Sequence, residues 1–157
     1  MTQDDLEKIL RRHEEWLRPG EAGERAVMID ADLRGLDLRA VDLRNADLRG
    51  AILSDADLSS ANLSGANLSH ANLFGANLQS ALSREADLSE ADIRRANLSG
   101  ADLHHLEAWR AIFKGSRIDP AELPTGEIDM IPSFEYLKLN HREAKAYKVS
   151  AKKATED

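Results

Sequence analysis

Ala56-Asp57-Leu58-Ser59-Ser60, Ala61-Asn62-Leu63-Ser64-Gly65, Ala66-Asn67-Leu68-Ser69-His70, Ala71-Asn72-Leu73-Phe74-Gly75 and Ala76-Asn77-Leu78-Gln79-Ser80 follow one another without a slip. A fixed short period marks a repeat architecture, in which each unit covers the apolar side of its neighbour. A small apolar residue in first place and Leu in third, separated by one polar residue, point the same way in an extended segment. The last two places hold mostly Ser, Gly, Arg, Asn or His, so the chain can turn every five residues. Asn and Ser suit such turns because they hydrogen-bond nearby backbone and tolerate left-handed conformations. A helix fits badly, since apolar residues spaced by two and then three wander around a 3.6-residue cylinder. A chain that turns inward this often closes into a coil, and stacked coils pair their backbones at roughly 4.8 Å.

Outward from that stretch, seventeen successive pentads over residues 31–115 keep an apolar first residue. Only Ser83 and Ala108 interrupt the large apolar side chains in third place, and Met28 adds an earlier pentad at residues 26–30. The repeated A-[DN]-L-[SR]-x resembles the pentapeptide-repeat family. That resemblance implies an all-β solenoid, a right-handed quadrilateral β-helix with four pentapeptides per turn, so that residues twenty apart share a face. Leu82-Ser83 reverses the usual order. Because Ala81 and Ala86 keep their register, we expect Ser83 inside and Leu82 outside.

The expected division is an N-terminal capping helix and linker at residues 1–25, the β-helix at 26–118, and a C-terminal cap with a basic helical tail at 119–157. Leu6, Ile9, Leu10, His13, Trp16 and Leu17 fall on one helical face, Thr2 and Asp5 form a capping box, and Pro19-Gly20 stops the helix. A solenoid end exposes apolar side chains and unpaired backbone, so this helix is expected over the first coil. At the other end Pro120, Pro124 and Gly126 break the repeat, residues 128–139 are expected to cover the stack, and Asn140 with Glu143 would open a helix at His141.

Composition narrows the function. The net charge of -7 disfavours direct nucleic-acid binding by the whole chain. Without cysteine there is no disulfide or thiol chemistry. Neither a leader-like apolar run nor a membrane-length apolar stretch occurs, and a cytoplasmic protein is the expectation. No phosphate-binding loop, dinucleotide fingerprint or nucleophile elbow is present, so we expect no enzyme and no cofactor. His13, His70, His104, His105 and His141 lack metal-ligand spacing and read as ordinary surface histidines, leaving no metal site.

In residues 31–50, Asp32, Asp37, Asp42 and Asp47 alternate with Arg34, Arg39, Arg44 and Arg49, which reads as a solvated ring of weak ion pairs. The outward Asp residues read as solubilising. More telling are apolar residues in outward places: with a twenty-residue turn, Ile52, Phe74, Arg94 and Ile112 share one side with Lys114 and form the candidate partner contact. A tail folded over them is the competing reading.

The function expected from these features is a non-catalytic protein-interaction or scaffold module whose partner is unknown. The resemblance implies an alternative, a DNA mimic that binds DNA gyrase, with a homodimer joined through the C-terminal end. The repeats carry nine Lys and Arg against thirteen Asp and Glu over residues 26–115, a diluted negative surface for a duplex mimic.

Overall fold

The computed structural model describes residues 1–118, so the expected C-terminal cap, loop and helix lie outside the described residues. From Val27 to Arg117, each second-place residue forms a parallel bridge with the residue twenty positions on, beginning with Val27↔Asp47 and ending with Asn97↔Arg117. Twenty residues are four pentads, which gives each turn four sides. The ladder continues past Gly115 into a further pentad, where Ser116 and Ile118 are buried.

The pentad at residues 66–70 shows why these residue types recur. Ala66 N–H closes the preceding turn on the Leu63 carbonyl at 2.9 Å, and Asn67 N–H reaches down to the Ala46 carbonyl at 2.9 Å. Leu68 and His70 N–H reach up to the Asp87 and Ser89 carbonyls at 2.7 and 2.8 Å. That leaves one donor, Ser69 N–H, and the side-chain Oδ1 of Asn67 accepts it at 2.9 Å. Buried or half-buried backbone donors need partners, and the second-place Asp or Asn supplies the one that neither turn nor ladder provides. The sequence reading of the outward Asp residues as merely solubilising is corrected accordingly.

Every fifth-place residue from Asp30 to Gly115 has φ between 54° and 73°, the second central position of a type II turn. Third-place side chains fill the axis in four columns. Leu33, Leu53, Leu73, Ile93 and Phe113 form one, and all are buried. Each such Leu contributes roughly 1.5–3 kcal/mol relative to exposure. Ser83 is 3% exposed and Leu82 44%, so the reversed pair keeps its register, as expected.

Helix α1 spans Gln3–Trp16, with Thr2 as N-cap and a complete Thr2–Asp5 capping box. Leu6 is fully buried in the axial core, and Ile9 and Leu10 pack against it. The helix also meets unpaired backbone of the first coil. The Gln3 side-chain amide accepts from Asp37 N–H at 3.2 Å and donates to its carbonyl at 3.4 Å, as a peptide group of a further coil would. The Met1 ammonium donates to the Asp32 carbonyl at 3.3 Å, and Arg25 Nε to the Asn45 carbonyl at 2.6 Å. After the helix the chain doubles back at Gly23, where a Cβ would collide with the backbone of Trp16 and Arg12. Glycine is required there by close approach. Among the described residues no helix is long and apolar enough to cross a membrane.

Candidate interaction surface

We number the four sides from residues 31–35, so that face one holds residues 31–35, 51–55, 71–75, 91–95 and 111–115. Its second-place column is Asp32, Ile52, Asn72, Asp92 and Ile112, joined by successive bridges. Its fourth-place column is Arg34, Ser54, Phe74, Arg94 and Lys114. The structure therefore puts all four candidate contact residues on one side, but it joins only two of them. The Arg94 guanidinium lies 5.7 Å from the Phe74 ring centroid. Ile52 and Ile112 are three coils apart, about 14 Å at the usual strand spacing, with Asn72 and Asp92 between them. They do not form one apolar strip.

Arg95 is the residue that sequence reasoning missed. Its guanidinium lies 5.6 Å from the same ring, so Phe74 meets two cations. Positive charge over an aromatic face is attracted by the ring quadrupole. A signal was available, because residues 91–95 form the only pentad with Arg in both fourth and fifth places. Arg94 is also forked onto Asp92, with Nε to Oδ1 at 2.8 Å and Nη2 to Oδ2 at 2.6 Å. Those bonds hold the Asp92 carboxyl below its ordinary range and fix the guanidinium beside Phe74. Ile112, at 47% exposed, is the most accessible apolar side chain on this face.

The other faces carry different chemistry. On face three, Asp102 accepts from His104 Nδ1 at 2.6 Å and from Arg84 Nε. Burial pushes the Asp102 carboxyl up, but these two donors bring it to about 2. No Ser or Cys nucleophile stands in that trio, and among the described residues no group of three His, Cys, Asp or Glu could hold a metal ion. On face four, Arg110 stacks over the exposed Trp109 ring at 4.2 Å. The first coil shows the expected ring: Arg34, Arg39, Arg44 and Arg49 pair with Asp32, Asp37, Asp42 and Asp47 respectively. His13, expected at the surface, is instead fully buried between α1 and the first coil. The helix turns it inward with Leu6, which the apolar face had already grouped with it.

A family model for pentapeptide repeats matches residues 51–82 and 84–118 in eight copies. A pentapeptide repeat protein from Nostoc PCC 7120 is 31% identical, with 76% of this chain and 84% of that one covered and a TM-score of 0.54. A second, from the Arabidopsis thaliana thylakoid lumen, is 34% identical over 52% of this chain, with a TM-score of 0.51, and the chain spans 56% of its length. Full-length QnrB1, a plasmid-mediated fluoroquinolone resistance protein, is 20% identical over 84% of this chain and 75% of that one, with a TM-score of 0.40. No curated protein matches the sequence. With a four-sided stack of pentads and these relatives, the chain belongs to the pentapeptide-repeat family, and its fold is that family's right-handed β-helix.

Proposed function

We propose that the chain is a non-catalytic interaction module that presents face one to an acidic segment of a protein partner. The observation that carries this reading is Phe74 with the guanidiniums of both Arg94 and Arg95 close to its ring, and Ile112 exposed on the same face. An aromatic ring and arginine are the residue types that dominate protein contacts, and Arg95, unlike Arg94 with its Asp92 partner, brings a positive charge that favours a carboxylate on the other side. Ile52 belongs to the rim of this surface. We further propose that residues 1–25 cap one end of the solenoid.

Duplex mimicry toward DNA gyrase has less behind it. The four Asp side chains of the first coil are each neutralised by an arginine two residues on, which breaks up the negative field such a mimic requires. A crosslinker placed at Ile112 in the full chain tests the interaction reading. We expect partner capture that Phe74→Ser and Arg95→Glu abolish while the melting temperature stays put. Capture and oligomeric state unaltered in both variants would sink the face-one surface. Stoichiometric inhibition of gyrase supercoiling would instead favour mimicry.

A further inference from the structure

His13 is the one buried side-chain polar centre among the described residues that its surroundings leave incomplete. Its Nδ1 accepts from Ala26 N–H at 3.0 Å, so the neutral ring must carry its proton on Nε2. Nε2 is itself buried and has no partner within hydrogen-bonding distance. The ring stacks on Trp16, with centroids 5.5 Å apart and an interplanar angle of 13°. It thus ties the C-terminal half of α1 to the residue at which the β-helix begins.

We propose that His13 is a proton-operated latch: taking up a proton at Nδ1 removes the acceptor of Ala26 N–H and frees α1 from the first coil. A protonated imidazole has two donors and no acceptor, so the Ala26 bond and the cation are mutually exclusive. The groups facing the ring do not rescue it. Arg25, from the linker, and Arg44, from the first coil, oppose a positive charge. Asp42 favours it but is already forked onto Arg44. The Arg44 carbonyl also favours the proton, from beyond bonding distance. On α1, Arg12 is paired with Glu24 at 3.0 Å. Burial is the largest influence and pushes the His13 imidazole below its ordinary value.

The sign follows from that direction. The latched form holds full strength above about pH 6.5, the ordinary imidazole value, and weakens as the pH falls through it toward the depressed value. In that window the released population rises about tenfold per pH unit, one proton being taken up. Release uncovers the Asp37 and Asp32 backbone groups that Gln3 and Met1 now occupy. An open parallel edge of this kind is a template for another chain.

The test uses the full chain, with imidazole nitrogen shifts and Asp37 amide exchange followed by NMR from pH 8 to 5. We expect the Nε2-protonated tautomer at pH 8, a His13 titration below pH 6.5, and an Asp37 protection factor that falls about tenfold per pH unit beneath it. His13→Asn keeps an acceptor near the Nδ1 position but cannot titrate, and it should hold Asp37 protection constant. An Nδ1-protonated tautomer, a titration at or above 6.5, or Asp37 protection indifferent to pH in the parent chain would overturn the latch. The parent titration decides the matter even if the variant fails to fold.

Discussion

The first coil, residues 31–50, and the coil stacked on it, residues 51–70, solve one backbone problem with different chemistry. In all four pentads of the first coil and in all of the second but that of Ile52, Oδ1 of the second-place Asp or Asn accepts the fourth-place N–H, as Asp37 does for Arg39 at 3.1 Å and Asn67 for Ser69 at 2.9 Å. In the first coil the same carboxylate also takes its arginine's guanidinium. In the second, Asn62 and Asn67 take the Ser64 and Ser69 hydroxyls at 2.8 and 2.7 Å. Where the second place is Asp or Asn, the acceptor oxygen is kept and the charge is optional. Second-place residues repeat about every 4.8 Å, so a continuous column of Asp would set like charges side by side. Asn shortens such runs, although Asp37 and Asp57 remain bridged neighbours, and it adds rungs: Asn77 donates to Asp57 at 3.0 Å, and Asn97 to Asn77 at 3.2 Å.

What the two coils share is the axial core, and that is where the largest effect lies. Leu68→Ala should lower unfolding free energy by about 2–5 kcal/mol in urea titrations, with Leu68→Asp losing the folded middle of the stack altogether. Leu38→Ala, beside the N-terminal end, tests whether the end coil melts separately. An unchanged curve for Leu68→Ala would mean that the column is not the core.

A middle-sized effect separates the coils directly. Gly35 and Gly65 both have φ of +66°, so Ala costs about 1–2 kcal/mol at either. Only at Gly65 would the new Cβ also collide with a side chain of the coil beneath, Asn45 Oδ1, whereas Gly35 has open space. Gly65→Ala should therefore melt lower than Gly35→Ala, and adding Asn45→Ala should close the gap. Equal melting temperatures would show that the stack yields there.

Acid gives the smallest effect and sharpens the comparison most. The Arg34 and Arg39 hydrogen bonds hold the Asp32 and Asp37 carboxyls at about 2. Their contribution is present above the unfolded value of about 3.9 and is lost as the pH falls through that value toward 2. Replacing Asp32, Asp37, Asp42 and Asp47 together by Asn should keep the turns, change neutral-pH stability little, and flatten stability between about pH 4 and 2. A strong loss at neutral pH would mean that the ion pairs, rather than the shared oxygen, hold the first coil.

Much of this was readable from the five-residue pattern. The two inward side chains per pentad, the buried Ser83, the exposed Leu82 and the Thr2–Asp5 box all follow from local alternation and capping, which depend only on near neighbours in the chain. The candidate surface was half readable. A twenty-residue turn puts Ile52, Phe74, Arg94 and Ile112 on one face, yet it gives neither the bend of Arg95 toward Phe74 nor the gap between Ile52 and Ile112. Those depend on side-chain direction and on the rise between coils.

By itself, then, the sequence determined a coil with aliphatic columns, because periodic burial is a property of spacing. Only the tertiary structure decided what meets the free backbone of the first coil. Gln3 meets Asp37 and His13 meets Ala26 across separations of 34 and 13 residues, set by how a helix docks rather than by any local period.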